Sequence, residues 1–236
     1  MAFVQSKAAA VGSGTIVAAT FDANVTVGNL IMVDVHLGTT DTFVSVTDTQ
    51  GNTYIQAGTE ISNGALGKSR QYYTIATATG ALTVTLTGTA SGVFRYIAIH
   101  EYSITTTFDT STANAGTGTT LTSGSFTVAQ AGSLLHVFGF CSGTGSASGG
   151  YNSRETVNGD ITSDKTASTG SQTATAEQTG TSDYNIHAAV FNTGAVLQQI
   201  RPDADNAAGS WTTTPLWSKI DEAVTDDADF ITNTAA

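Results

Sequence analysis

The segment LTVTLTG at residues 82–88 alternates apolar and threonine side chains at every position. Successive side chains of a β-strand point to opposite faces of the sheet, so positions 82, 84 and 86 are predicted to face a core and the threonines to face out. Threonine occurs 43 times in the 236 residues, alongside 25 glycines. Because threonine is β-branched and glycine favours turns, the chain is predicted to be all-β and built from antiparallel strands.

Short segments with alternating or continuous apolar character recur at the spacing of about 8–12 residues that is typical of sandwiches and barrels. In the first half, we predict strands at 15–21, 30–37, 43–48, 53–58, 70–77, 82–88 and 94–103. The sequence TQGN at 49–52 contains a glycine and an asparagine, which accept the positive φ of a tight turn. It therefore predicts a hairpin between two of these strands.

The second half of the chain repeats the first in outline. Residues 126–143 resemble 25–38 at an offset of about 104, and 169–193 resemble 79–103 at an offset of about 90. This pattern predicts two tandem antiparallel β-sandwiches, at 1–104 and 105–194. The joining stretch SITTTFDTSTANAGTGTT, residues 103–120, is rich in Thr, Gly and Ser and is expected to be partly irregular.

A third region, 195–236, has a different composition. Both tryptophans, both prolines and seven of the 19 acidic residues lie beyond residue 200. About 40 residues are too few for a sizeable core, so the apolar side chains of this arm-like segment must bury against something else. The predicted interface residues are Trp211, Leu216, Trp217, Ile220, Phe230 and Ile231. The partner surface is either another chain or the chain's own second sandwich.

The charge balance excludes several classes of partner. Eight Lys and Arg residues against 19 Asp and Glu residues give a net charge of −11, with no cationic cluster for nucleic acid or an anionic membrane. No run of 18 apolar residues predicts a membrane span. The N-terminal MAFVQSKAAAVGSG lacks the apolar stretch of a secretory signal, so we expect synthesis and assembly in a cytoplasm. The single cysteine, Cys141, is predicted to be a buried, inert thiol.

The four histidines lie near four different strands, and the repeat alignment does not group them. It places His36 opposite Phe140, His136 opposite Met32, His100 opposite Val190 and His187 opposite Ile97. Each histidine is therefore expected to be hydrogen-bonded within the fold or to lie at the surface, and no metal or catalytic site is expected.

One acidic residue, Asp34, interrupts an apolar strand and is expected on the outer face of its sheet, paired with Arg70 or Arg95. Glu101 cannot share a site with His100, because adjacent strand residues point to opposite faces.

The sequence predicts no catalytic residue, metal site or cofactor. No serine lies in a nucleophile elbow, and GTGSASGG at 143–150 lacks the lysine of a phosphate-binding loop. Three tyrosines, Tyr72, Tyr73 and Tyr151, are candidates for stacking on a sugar ring. The alternative for these tyrosines is ordinary packing in half-buried strands.

Two sequence patterns resemble a known family. Val46, Asp48, Gly51, Asn52 and Tyr54 form V-x-D-x-x-G-N-x-Y, which with a closing EYS at 101–103 resembles the jelly-roll-like sandwich repeats of tailed-bacteriophage virion structural proteins. The segment GSWTTTPLWSKIDEAVTDDADFI, residues 209–231, resembles a segment that commonly precedes a further sandwich domain in phage structural proteins. The resemblance implies a virion component without catalytic residues.

The resemblance predicts a head decoration or cement protein on the virion surface, a homo-oligomer such as a trimer that binds the major capsid protein. The chain has no coiled-coil repeat that a fibre shaft would need. The alternative is a receptor- or glycan-binding module associated with a tail or fibre. A hydrolase, such as a depolymerase, is the third and weakest hypothesis.

Overall fold

In a computed structural model, residues 2–64, 66–104 and 106–193 are described, and they contain fifteen strands and no helix. The strands are β1 (Ala2–Val11), β2 (Ile16–Thr20), β3 (Leu30–Leu37), β4 (Phe43–Asp48), β5 (Ile55–Gln56), β6 (Ile61–Asn63), β7 (Gly67–Ile75), β8 (Thr83–Gly88), β9 (Arg95–Ser103), β10 (Thr106–Val128), β11 (Leu134–Cys141), β12 (Gly145–Ala147), β13 (Asn152–Glu155), β14 (Ile161–Thr166) and β15 (Gly170–Thr193). All strand pairs are antiparallel, so the predicted all-β class is confirmed.

The first half is a sandwich of two sheets. Its major sheet has the order β1-β9-β3-β7-β5, with β6 also pairing with β7, and its minor sheet has the order β2-β8-β4. The alternation read in LTVTLTG is confirmed, because Leu82, Val84 and Leu86 are fully buried between the two sheets. The isoleucine and valine side chains of β3 and β9 that point inward complete this core.

The second half has a major sheet of matching order, β10-β15-β11-β14-β13, with β12 also pairing with β15. β10 and β15 are 23 and 24 residues long and pair along their whole length, with a register shift between Gly118 and Thr120. Beyond that shift, Leu121 and Ala176 pack against Val137 and Ile186 in one core. The C-terminal part of β10 and the N-terminal part of β15 therefore form the second layer of this sandwich. They take the place that β2 and β8 have in the first half.

Two parts of the chain differ from the expected strands. β1 has no counterpart among the predicted strands, because AFVQSKAAAV lacks a period-two pattern, yet it pairs with β9 along the sheet edge. The stretch expected to be an irregular joint is regular strand from Thr106 onward, because the Thr-rich chain finds a complete partner in the second half of β15.

The described strands belong to one compact unit, which spans Met1–Ala195. Residues 196–236 lie outside the described residues, and with them the predicted interface residues Trp211, Leu216, Trp217, Ile220, Phe230 and Ile231. The role predicted for them stays a prediction.

Candidate functional site

The outward faces of the two major sheets pack against each other. Tyr96 in β9 stacks on Phe138 in β11, with ring centroids 5.6 Å apart and an interplanar angle of 4°. His36 in β3 stacks on Phe140 in β11 at 3.3 Å. A further apolar cluster joins the two halves and contains Leu30, Met32, Ala57, Tyr102, Ile104, Leu134, Ala189 and Phe191. This contact, called the inter-sandwich interface below, is a hydrophobic core in its own right.

All four histidines of the chain lie at the inter-sandwich interface. They are His36 in β3, His100 in β9, His136 in β11 and His187 in β15, and each is at most 1% exposed. The sequence did not predict that these side chains converge, and two of them meet at one carboxylate. They belong to the central strands of the two sheets and point away from each sandwich's own core.

The repeat alignment was wrong by one residue in the closing strands, β9 and β15, and so did not indicate that the histidines converge. Tyr102 lies opposite Leu30, and Phe191 lies opposite Leu134, so the closing strands correspond at an offset of 89 rather than 90. A shift of one residue moves every side chain of a strand to the other face. With the offset of 89, His100 corresponds to the outward-facing Ala189 instead of the inward-facing Val190.

The centre of the interface is the buried carboxylate of Asp34. Its Oδ2 accepts a hydrogen bond from His136 Nε2 at 2.8 Å, and its Oδ1 accepts one from Gln71 Nε2 at 2.9 Å. His100 Nδ1 lies 3.6 Å from the same Oδ2. Burial alone would raise the pKa of Asp34, but the two histidines and the Gln71 bond hold it below its ordinary value. Asp34 is therefore ionised at neutral pH.

The expected arginine partners of Asp34 lie elsewhere. Arg70 pairs with Glu60 at 2.7 Å, and Arg95 pairs with Asp41 at the end of the first sandwich. The expectation was wrong because the outer face of β3 is covered by the second sandwich, which supplies a histidine from across the interface. The separation of Glu101 from His100 is confirmed, since Glu101 bonds to Gln5, Thr26 and Asn29 on the other face.

A chain of hydrogen bonds orients the ring of His136. Arg154 donates two hydrogen bonds to the Asp164 carboxylate, at 2.5 and 2.8 Å. The Tyr102 hydroxyl donates to Asp164 Oδ2 at 2.8 Å, so its oxygen accepts from His136 Nδ1 at 3.0 Å. The two ring nitrogens of His136 therefore contact Tyr102 on one side and Asp34 on the other.

The neighbouring histidine, His100, is neutral. Burial, with the charge of His136, lowers the pKa of His100 to about 3. His100 Nε2 lies 2.7 Å from the Thr162 hydroxyl, whereas Nδ1 has no hydrogen-bond partner among the described residues. A buried ring nitrogen without a hydrogen-bond partner costs free energy, so His100 Nδ1 is an unsatisfied polar atom that faces Asp34.

The other two histidines complete the packing of the interface. His187 Nε2 lies 2.8 Å from the Ser69 hydroxyl across the interface, and burial lowers the pKa of His187 to about 4. Burial likewise lowers the pKa of His36 to about 3. Both rings are therefore neutral at pH 7 and behave as aromatic packing groups.

The arrangement limits the available chemistry. Asp34, His100, His136, Tyr102 and Asp164 are each at most 2% exposed, so a solvent-borne substrate does not reach them in this structure. The cluster can lock the two sandwiches in one register or hold a small ion, since one donor atom each of Asp34, His100 and His136 lies within 4.8 Å of the other two. The sequence signal for it was isolated polar side chains within largely apolar strands, such as Asp34 and His36 in β3 and His136 in β11.

The three tyrosines proposed for sugar binding lie in different places. Tyr72 packs on the core of the first sandwich and hydrogen-bonds to Arg70. Tyr73 packs between Phe108 and Phe191, and Tyr151 lies in the second core beneath Lys165. The structure does not bring these rings onto one exposed platform.

The V-x-D-x-x-G-N-x-Y motif forms a turn that leads from β4 in the minor sheet to β5 in the major sheet, so the hairpin predicted at 49–52 was wrong. Asp48 Oδ1 accepts hydrogen bonds from the backbone N–H groups of Gln50 and Asn52, and Asp48 Oδ2 accepts from the Tyr54 hydroxyl at 2.7 Å. Gly51 has a φ of 75°, which favours glycine. The Asp-led turn with a tyrosine packing back is confirmed.

A second buried carboxylate, Asp160, lies next to Cys141. Asp160 Oδ1 accepts a hydrogen bond from the Cys141 backbone N–H at 3.0 Å, and Oδ2 has no partner among the described residues. Burial raises the pKa of Asp160 to about 8 and that of the Cys141 thiol to about 12. Cys141 is therefore a buried, protonated thiol at neutral pH, as predicted.

Replacing Asp160 by Asn is expected to remove a pH dependence of stability. The folded protein retains the Asp160 proton above pH 4, where the unfolded chain has lost it, so stability falls as the pH rises to about 8. The free energy of unfolding should fall by at most on the order of 5 kcal/mol over this range. Urea denaturation at about pH 5 and about pH 9 should show a smaller decline for Asp160→Asn than for the wild type. Equal declines in both proteins would contradict the assignment.

Comparison of the chain with protein families, curated proteins and solved structures finds no match. Within the described residues, no helix is long and apolar enough to cross a membrane. Function is therefore argued from the residues and their geometry.

Proposed function

We propose that this protein is a non-enzymatic structural component of a tailed-phage virion, and specifically a decoration or cement protein of the head. The observation that carries the proposal is the inter-sandwich interface, which buries all four histidines together with Asp34 and Tyr102. Side chains suited to catalysis are thereby used to join two sandwiches into one compact unit. A rigid double sandwich suits a protein that acts by packing and repetition.

The sheet edges support a role at high copy number. Four edge strands, β5, β6, β12 and β13, have only two to four residues each. The long edge strand β10 has three register shifts, and β1 has one. Short strands and bulges oppose uncontrolled strand addition, and a net charge of −11 keeps free copies apart.

The sequence motifs supply the phage assignment. The V-x-D-x-x-G-N-x-Y turn and the C-terminal segment at 209–231 both resemble virion structural proteins. The C-terminal segment carries the predicted contact to the capsid or to a second copy, through residues such as Trp217.

The test is binding of the full chain to undecorated heads of the phage that encodes it. We expect the protein to co-sediment with the heads saturably, as a homo-oligomer such as a trimer by light scattering, and to raise the temperature at which the heads break open. A monomer that does not bind heads would overturn the proposal. Adsorption to host cells or glycans instead would favour the tail- or fibre-associated receptor-binding module.

A single substitution separates assembly from folding. Trp217→Ala is expected to reduce head binding by at least about tenfold, the scale of an interface hot spot, while changing the melting temperature little. Phe126→Ala, in the core of the second sandwich, is the opposite control, because it lowers the melting temperature without touching the predicted contact. Equal loss of binding and folding in Trp217→Ala would contradict the predicted role of the segment.

A further inference from the structure

We propose that Asp34, His100 and His136 bind a divalent first-row transition-metal ion, best matched by Zn²⁺, which ties the two sandwiches together. Asp34 and His100 belong to the first sandwich, on β3 and β9, and His136 belongs to the second, on β11. One donor atom from each residue lies within 4.8 Å of the other two. An ion bound by all three would therefore bridge the inter-sandwich interface.

Two of the three donor spacings bracket the spacing in a metal site. A tetrahedral zinc ion with bonds of about 2.0–2.1 Å places its ligand atoms about 3.3 Å apart. The His136 Nε2–Asp34 Oδ2 distance is 2.8 Å and the His100 Nδ1–Asp34 Oδ2 distance is 3.6 Å, so the two values bracket the required spacing. Side-chain shifts of about half an ångström would make both equal to it.

The unpaired nitrogen of His100 is an independent indication of a ligand. His100 is fully buried, and Nδ1 has no hydrogen-bond partner among the described residues although it points at Asp34. At 3.6 Å, its contact with the carboxylate is too long for a good hydrogen bond. A metal ion would occupy this lone pair and remove the cost of leaving it unsatisfied.

The outer contacts orient all three ligands. His100 Nε2 lies 2.7 Å from the Thr162 hydroxyl, and His136 Nδ1 lies 3.0 Å from that of Tyr102. Histidine ligands characteristically hold their second nitrogen in this way. Gln71 donates to Asp34 Oδ1, which leaves Oδ2 for the metal.

The hydrogen-bond chain leaves one nitrogen of His136 for the ion. Tyr102 donates to Asp164, so its oxygen accepts from His136 Nδ1, and Nε2 faces Asp34 and the metal. Ligation requires that Nε2 carry no hydrogen, so any proton on this atom leaves to solvent when the ion binds.

The donor types narrow the choice of metal. Two imidazoles and one carboxylate suit Zn²⁺ and its first-row neighbours, whereas Mg²⁺ and Ca²⁺ prefer oxygen ligands alone. Three protein ligands leave a fourth position for one water molecule. The same donors also suit Fe²⁺, so the metal in the purified protein must be identified directly.

Because its ligands are buried, we expect the folded protein to retain the ion unusually well. The three ligand residues are fully buried, so an ion enters as the sandwiches dock during folding and cannot leave the folded protein readily. A chelator should strip the metal from the unfolded chain but not from the native one.

The experiment measures metal content in the full-length protein. Chains unfolded in denaturant with EDTA, then refolded with Zn²⁺ or without metal, are dialysed natively against EDTA and analysed by plasma mass spectrometry. We expect about one Zn²⁺ per chain after refolding with metal, and a melting temperature at least about 5 °C above the metal-free protein. Refolding with Co²⁺ should give the visible absorption bands of a four-coordinate ion.

A matched pair of substitutions locates the site. His100→Gln removes one ligand and should abolish retention, whereas His187→Gln, at the same interface but bonded to Ser69, should keep it. Wild-type protein with less than about 0.2 ion per chain and no change in melting temperature would overturn the proposal, as would full retention in His100→Gln. If His100→Gln fails to fold, the wild-type metal content and cobalt spectrum decide the question.

Discussion

Phe138→Ala is expected to lower the free energy of unfolding by about 3–5 kcal/mol, which is the usual cost of removing a fully buried phenylalanine. Phe138 is completely buried at the inter-sandwich interface, stacked on Tyr96 and 6.1 Å from the His187 ring. Truncation leaves a cavity between two sheets that each retain their own core. The sandwiches should therefore lose their coupling, and calorimetry should show two overlapping transitions where the wild type shows one.

Phe126→Ala is the control for this prediction. Phe126 belongs to the core of the second sandwich, so its truncation should destabilise that module without opening the interface. Hydrogen exchange distinguishes the two variants. Only Phe138→Ala should speed exchange of the β9 and β11 amides relative to the amides of the minor sheet. An unchanged single transition in Phe138→Ala would show that the interface does not couple the modules.

Arg95→Met is the second substitution with a large expected effect, again about 3–5 kcal/mol of destabilisation. The Arg95 and Asp41 side chains are fully buried and form an ion pair, and Arg95 also donates to the carbonyl groups of Gly14 and Ala90. Methionine fills much of the same volume but leaves the Asp41 charge without its counter-ion. Urea denaturation monitored by circular dichroism measures the loss.

Arg70→Met is the matched control. Arg70 carries the same functional group in an ion pair with Glu60, but about a quarter of its side chain is exposed. Water screens such a pair, so the same substitution should cost about 1 kcal/mol or less. Similar losses for Arg95→Met and Arg70→Met would contradict the view that burial sets the strength of these pairs.

The positions of several strands could be predicted from the sequence because their apolar or alternating runs have clear ends. β3, β4 and β8 lie within a residue of their predicted bounds, because alternating or continuous apolar runs end at Gly, Asn or Asp. β1 escaped prediction because its small side chains give no alternation. The first part of β10, residues 106–120, was expected to be partly irregular because its Thr and Gly content suits a loop as well as a strand, and only pairing with β15 distinguishes the two.

The candidate site could not be predicted from the sequence, for a different reason. The histidines lie in four different strands, and no spacing along the chain indicates that His100 and His136 meet. The repeat alignment contained the needed information only at the correct offset, because an error of one residue exchanges the two faces of a strand.

The sequence by itself determined the all-β class, the inward faces of the central strands, the Asp48 turn and the inert cysteine. These follow from local rules: side-chain alternation, turn chemistry and the burial of an apolar run. Only the tertiary structure decided that the outward faces of two sandwiches cover each other and gather Asp34, His100 and His136 at one point. That outcome depends on contacts between residues some hundred positions apart, which no local pattern along the chain encodes.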